Sequence, residues 1–337
     1  MLIRILLSLA LSLAAFAETK NLILVTADGL RWQELFTGMD PLLANEKSAG
    51  TEGKTALREK FWRDTPEQRR AALMPFFWTT LAPRAVVHED VRVTNGFRVS
   101  YPGYSEILTG RAQDGVIQGN DHIQNPTETL LEFLRRKLKL SRQEVAMFGS
   151  WDTFRWIVEK TPGSVTINTG YMNSAETSRI AELSRVQRDI LSPWDAVRYD
   201  YFAFEMAMDY LTKVKPRVLY IAFGETDDWA HNRRYDRVLE STAYFDRSLE
   251  RLFKTLNSMP NYRNNTAVVI TSDHGRGSKL EDWSSHGSKV EGADRIWAVI
   301  SGPDQNRAGP IKTQSGIAPA ILRMMGLSPE EFLRTRP

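Results

Sequence analysis

The sequence predicts an α/β fold, with a mostly parallel central sheet and helices on both of its faces. Two observations carry that expectation. Six short, apolar, β-branched runs read as buried strands, at Asn21–Ala27, 144–148, 164–168, Val218–Phe223, Thr266–Thr271 and Arg295–Ser301. Helical patterns lie between them. Leu130, Leu131, Leu134 and Leu138 line one helical face after the Asn125-Pro126-Thr127 entry, and Phe245, Leu249, Leu252, Phe253 and Leu256 line another. Strands that alternate with helices pair in parallel, because each crossover returns the chain to the same end of the sheet.

The remaining segments fit around that plan. Residues 1–17 carry Arg4, an apolar run at 5–16 and the small-x-small triplet Ala15-Phe16-Ala17. That is the pattern of a secretory signal peptide cleaved after Ala17. The apolar run is shorter than the ~20 residues a spanning helix needs. No later stretch is long and apolar enough to span a bilayer, so no membrane span is expected after cleavage, and the location expected is periplasmic or secreted. Residues 18–337 then form one domain with an insertion at about 30–87. The insertion holds a Gly/Lys/Ser/Thr loop at 47–55 and a helical, Trp-rich part from 58 to 80, and is expected near the mouth of the site.

Composition narrows the chemistry. A formal charge of +3 does not indicate a nucleic-acid polymer as partner. Basic clusters such as Arg135-Arg136-Lys137 fall on an amphipathic helix and read as a solvated face. The absence of cysteine excludes disulfides and thiolate ligands, so any metal must be held by imidazole and oxygen.

In an open α/β sheet, ligands bind beyond the carboxyl ends of the strands. The first strand ends in Asp28-Gly29. Val218–Phe223 runs into Thr226-Asp227-Asp228-Trp229-Ala230-His231, and Thr266–Thr271 into Ser272-Asp273-His274-Gly275, with Ser285-His286-Gly287 shortly after. Three strands thus deliver carboxylates to one edge, and three of the five histidines follow two of them. Asp227 and His231 are four apart, so one helical turn puts both on one side. A single Asp-His pair is usually a cap or a hydrogen-bonded core histidine, but three such elements at strand ends suit zinc, manganese or a similar divalent ion. His88 and His122 lack that context and read as structural or surface residues.

These segments resemble the motifs of the alkaline-phosphatase superfamily, and most closely its nucleotide pyrophosphatase/phosphodiesterase branch. Ala27-Asp28-Gly29-Leu30-Arg31 is similar to the first metal motif. The 226–231 segment is similar to Pro-Asp-x-x-Gly-His, with Thr226 and Ala230 in place of the Pro and Gly. Ser272-Asp273-His274-Gly275 and His286-Gly287 match the later metal motifs. The 100–110 segment, Ser100-Tyr101-Pro102-Gly103-Tyr104 onward to Thr109-Gly110, resembles the nucleophile segment, and 314–327 the closing helix.

The resemblance implies two divalent ions, zinc first among them. Asp227, His231 and His286 would hold one; Asp28, Asp273, His274 and the nucleophile Ser100 would hold the other. It implies a small phosphate mono- or diester as substrate and a phosphoseryl intermediate. Asn120 would contact a non-bridging phosphate oxygen. Pro102 and Gly103 suggest a sharp turn that exposes Ser100. Of the aromatic residues Trp32, Trp62, Phe76, Phe77, Trp78, Tyr101, Tyr104 and Trp151, most are expected to pack in the core. Tyr101 and Tyr104, nearest Ser100, are the first candidates to face a substrate.

The departures are informative. Sulfatases of the superfamily carry Cys or Ser followed by x-Pro-x-Arg and convert the first residue to formylglycine. Here Tyr104 stands at the Arg position. Gly103 and Tyr104 replace the Asn-His of the phosphodiesterase branch, which weakens the case for a nucleotide substrate. Sulfate-ester hydrolysis and a non-catalytic ligand-binding role remain the alternatives.

Overall fold

The computed structural model describes residues 19–334; the signal peptide expected at 1–17 lies outside them. Seven strands form one sheet: β1 (Asn21–Ala27), β2 (Val86–Arg92), β3 (Val145–Gly149), β4 (Thr166–Thr169), β5 (Val218–Phe223), β6 (Thr266–Thr271) and β7 (Arg295–Ser301). Their order is β2-β7-β6-β1-β5-β3-β4. The five strands from β6 to β4 run parallel. β7 adds antiparallel to β6, and β2 antiparallel to β7. The mostly parallel sheet is therefore as expected, and all six expected runs are strands. β2 was not expected from sequence: its Val-Val-His-Glu-Asp-Val-Arg pattern is largely polar because it is an exposed edge strand.

Strands β1, β5 and β6 are buried on both faces and alternate between two cores. Ile23, Val25, Leu219, Ile221, Val268 and Ile270 face one side, and Leu22, Leu24, Val218, Tyr220, Ala267 and Val269 the other. Residues 30–87 supply α1 (Trp32–Thr37), α2 (Thr55–Phe61) and α3 (Pro66–Leu73) to the first side. Helices α4 (Ser100–Thr109) and α5 (Leu130–Lys137) cover the second. After the short α6 (Phe154–Ile157), α7 (Ser178–Asp189) and α8 (Asp200–Lys213) return to the first. They are followed by α9 (Glu225–His231) and the long α10 (Tyr235–Ser258). The chain closes with α11 (Ile317–Met324) on the second side and α12 (Pro329–Leu333). Among the described residues, no helix is long and apolar enough to cross a membrane.

Residues 30–87 are tied to α10. Asp246 accepts the backbone N–H groups of Phe76 and Phe77, at 2.9 and 2.8 Å. Lys54 pairs with Asp236, which places the 47–55 loop just beyond His231. Trp32, Trp62, Phe76 and Trp78 pack half-buried against the core, and Phe77 is fully inside it.

One buried carboxylate fixes the approach to α4. Glu106 is inaccessible to solvent and accepts from the backbone N–H groups of Thr94, Asn95 and Ser315, and from the side chains of Thr94 and Asn95. Replacing Glu106 by Ala leaves these donors without an acceptor. Glu106→Ala is expected to lower stability by about 3 kcal/mol or more, read from the denaturant midpoint. A loss below about 1 kcal/mol would show that water takes over those donors.

Candidate metal centre and nucleophile

Asp28 leaves the end of β1, α9 follows β5, and the 272–276 segment follows β6. These three strands are neighbours in the sheet. Their loops therefore bring Asp28, Asp227, His231, Asp273 and His274 to one edge, and His286 closes the group from the following loop. The Nε2 atom of His274 lies 3.4 Å from Asp28 Oδ1, 3.4 Å from Asp273 Oδ2 and 3.6 Å from Asp227 Oδ1. The His231 Nε2 atom is 3.1 Å from Asp227 Oδ2 and 3.0 Å from His286 Nε2. All six side chains converge.

The grouping differs in one respect from the sequence expectation. Asp28, Asp273 and His274 form one compact set as expected. Around Asp227 and His286, His274 is the third member of the compact set, and its imidazole faces both halves. His231 approaches the same atoms from the open side, with its side chain about half exposed.

Neighbouring groups fix the orientation of the ligand atoms. The Nδ1 atom of His274 is 3.0 Å from the Gly275 carbonyl, and that of His286 is 3.1 Å from the Arg98 carbonyl. An Nδ1–H that donates to a carbonyl leaves the Nε2 lone pair free for a cation. Burial, then the charge of His274, lowers the pKa of His231. Burial, then the charges of His274 and Arg276, lowers that of His286. Both rings are therefore neutral near pH 7, as ligands must be. Gly29 is required where the parts meet: its φ is 55°, and a Cβ there would lie 2.8 Å from Asp227 Oδ1.

The site fits divalent cations. Asp273 is fully buried, and its Oδ2 has no hydrogen-bond partner, while its Oδ1 accepts the Gly29 N–H at 3.0 Å. A buried carboxylate oxygen in that condition needs a cation or a proton. Three imidazoles beside three carboxylates are the donor set of zinc or manganese rather than of calcium or magnesium.

Ser100 is the first residue of α4, with Oγ 3.4 Å from both Asp28 Oδ1 and His274 Nε2. The expected sharp turn is instead a helix N-terminus, where Pro102 sits in the first turn and its missing N–H costs nothing. The helix dipole favours negative charge at this end. Gly103 lets α4 lie directly on the 273 backbone, because a Cβ there would come within 2.3 Å of the Asp273 carbonyl.

The expectation that Tyr101 and Tyr104 face a substrate is corrected, because both rings are fully buried. Tyr101 donates its hydroxyl to the Ile123 and Trp156 carbonyls, at 2.7 and 3.1 Å. Tyr104 donates to Asp28 Oδ2 at 3.1 Å and packs on Phe154. Asn120 lies beside the start of α4, accepting the Tyr101 N–H at 2.9 Å. Trp151 packs half-buried against the second core. His88 and His122 are outside the cage: His88 accepts the Ile311 N–H at 3.4 Å, and His122 stacks on Trp156.

Sequence reasoning missed Arg276. Its fully buried guanidinium donates to both the side chain and the carbonyl of Asp227. Burial, opposed by the charge of Asp28, lowers its pKa to about 9. The only signal was its position, two residues beyond His274. Arg31 was missed as well: it pairs with Glu34 and Asp40 and donates to the Gly277 carbonyl at 3.1 Å, bracing the turn after Asp28.

A family model described as "Sulfatase" matches residues 20–327. No curated protein matches the sequence. Among solved structures, the chain is similar to the lipoteichoic acid synthase LtaP from Listeria monocytogenes, with 12% identity, coverage of 95% of this chain and 76% of that one, and a TM-score of 0.58. A 2-O GAG sulfatase matches at 14% identity, 92% and 71% coverage, and a TM-score of 0.52. Alkaline phosphatase from the Antarctic bacterium TAB5 matches at 13% identity, 92% and 99% coverage, and a TM-score of 0.50. At these identities the likeness is one of fold.

Two expectations follow for the metal-free protein. Burial alone would lower the His274 pKa, but the charges of Asp273 and Asp28 outweigh it and raise the value to about 9. Burial, then the charge of Asp28, raises Asp273 to about 8. The group therefore holds protons near pH 7, and a bound cation must displace them. Metal uptake should release protons, and apparent affinity should rise with pH up to about 9. Calorimetric titration in buffers of different ionisation enthalpy reads the release; equal heats in all buffers would refute it. Arg276→Met removes the cation that balances Asp227. Its metal-free form should be about 3 kcal/mol less stable, and zinc should raise its Tm more than it raises that of the parent protein. An equal zinc-induced rise in both would count against a charge-balancing role.

Proposed function

The chain belongs to the sulfatase family of the alkaline-phosphatase superfamily, and from that premise we propose that it is a two-metal hydrolase of phosphate mono- or diesters with Ser100 as nucleophile. The observation that carries this reading is the position of Ser100 Oγ, 3.4 Å from Asp28 Oδ1 and from His274 Nε2, at the head of α4. A serine hydroxyl is a weak nucleophile unless its alkoxide is stabilised.

Asp28, Asp273 and His274 would hold one ion beside Ser100, and Asp227, His231 and His286 the other. Divalent ions held there would supply charge stabilisation to the entering and leaving oxygens of an in-line displacement. The N-terminus of α4 adds its dipole at the same point. Ser100 Oγ passes its proton to solvent and attacks phosphorus, the bond to the leaving oxygen breaks, that oxygen takes up a proton from solvent as the alcohol, and a phosphoserine forms. Water then attacks phosphorus and releases Ser100. The Asn120 side chain, anchored through the Tyr101 N–H, lies within the nucleophile segment's neighbourhood and would orient a non-bridging oxygen. The sequence pattern of residues 1–17 supports export to the periplasm or beyond.

Sulfate-ester hydrolysis is the second reading, favoured by the family itself. It requires Ser100 to be converted to an aldehyde, and Tyr104 occupies the position where the modified segment carries Arg.

Ser100→Ala is expected to reduce turnover of aryl phosphates by a factor of about 10⁴ or more while zinc content stays near that of the parent. Undiminished turnover would remove Ser100 from its role. A panel of aryl phosphates, phosphodiesters and sulfates, with mass spectrometry of the Ser100 peptide, separates the two readings. An aldehyde at Ser100 together with sulfate turnover overturns the phosphate assignment.

A further inference from the structure

The cage opens on one flank. The His274 side chain is inaccessible and that of His286 is 10% exposed, whereas that of His231 is 51% exposed. A ligand must therefore arrive past His231 and His286. Two arginines bracket this pair. Arg98 holds His286 through its carbonyl and sends its guanidinium to the Ser288 carbonyl at 3.4 Å. Arg233 follows His231 by two residues and reaches the Leu280 carbonyl at 3.5 Å. Among the described residues neither forms an ion pair, and the buried Nε of Arg98 has no partner. Lys289, exposed, adds a third positive charge next to Ser288.

The backbone gives an independent indication. Among the described residues, five non-glycine residues adopt positive φ: Arg98, Lys139, Lys215, Arg233 and Asn264. Left-handed backbone costs a side-chain-bearing residue on the order of 1 kcal/mol, and such strain gathers at functional positions. Lys139, Lys215 and Arg233 stand just past helix C-termini, where a cation meets the favourable end of the dipole. Arg98 has no such explanation. It precedes α4, and the Asn95 side chain fixes it by accepting its N–H at 2.8 Å. Glycine would relieve the strain there, yet an arginine without a carboxylate is held at the mouth.

We propose that Arg98, with Arg233 and Lys289, binds a second negative group on the substrate, so that the preferred ester carries an anionic group on its leaving alcohol in addition to the ester being cleaved. This deepens the hydrolase reading and rests on it. The chain as a whole is near neutral at +3, so the positive rim is local. A cleft lined by one sign of charge raises the local concentration of the opposite sign, and the effect falls with salt.

The test compares phenyl phosphate with 3- and 4-carboxyphenyl phosphate, and in parallel the binding of the corresponding uncleavable phosphonates to the metal-loaded protein by calorimetry. The parent protein should favour a carboxylated compound by about tenfold at low salt, with the preference shrinking as salt rises. Arg98→Asn keeps a residue that tolerates positive φ and should erase most of that ratio, whereas Arg98→Lys should retain it. Equal treatment of the charged and uncharged compounds by the parent, or a ratio in Arg98→Asn equal to the parent's, overturns the proposal. Because binding is read separately from cleavage, a protein that binds with the ratio but cleaves neither phosphate sinks the phosphate reading and leaves the second-anion site standing.

Discussion

Three carboxylates, Asp28, Asp227 and Asp273, are held together at the ends of three adjacent strands, and the rest of the site follows from their mutual repulsion. Buried carboxylates at such distances cannot all remain ionised without compensation. Each has an attached remedy. Asp28 accepts Tyr104, Asp227 accepts Arg276, and Asp273 accepts the Gly29 N–H. His274 lies among all three and takes up a proton in their field. What remains unsatisfied, above all Asp273 Oδ2, is the demand that divalent ions would meet.

Helix α4 answers to the same constraint. α4 must bring Ser100 against Asp28 and His274 without intruding on Asp273, and only a residue lacking Cβ permits that approach at position 103. Glu106, two turns into the same helix, gathers donors from 94–95 and 315 and so sets the helix against its surroundings. Ser100 thereby receives the helix dipole and the cage from a fixed direction. Such preorganisation is what electrostatic catalysis requires, because no group has to reorient as charge develops.

Much of this was legible in the sequence. Buried parallel strands are nearly all apolar, so β1, β5 and β6 stand out, and the carboxylates and histidines beyond them can be read by position. The edge strand β2 escaped notice because one side of it meets solvent and its pattern is polar. Tyr101 and Tyr104 were misjudged because proximity in sequence to Ser100 does not fix direction. At the start of α4, the residues one and four positions beyond Ser100 turn inward, toward α6 and Asp28. Arg276 gave no local signal, since its meaning lies in a contact with Asp227, remote in sequence. His274 was assigned to one half of the cage because spacing cannot show that an imidazole at a strand end faces both.

Tyr104 links this charge balance to the choice of ester. Burial, then the charges of Asp273 and Asp28, keeps its phenol neutral by raising its pKa well above the ordinary value. A guanidinium at that position, as in the sulfatase segment, would stay protonated and cancel one carboxylate permanently. A neutral phenol donates a hydrogen bond to Asp28 and leaves its charge intact. Once protons are displaced, the cage would therefore present three carboxylates against the one built-in guanidinium of Arg276, and the deficit would fall to exchangeable cations. A centre that depends more on divalent ions is better matched to the two charges of a phosphate monoester than to the single charge of a phosphodiester or a sulfate ester, and this is the physical argument for the monoester form of the proposed reading.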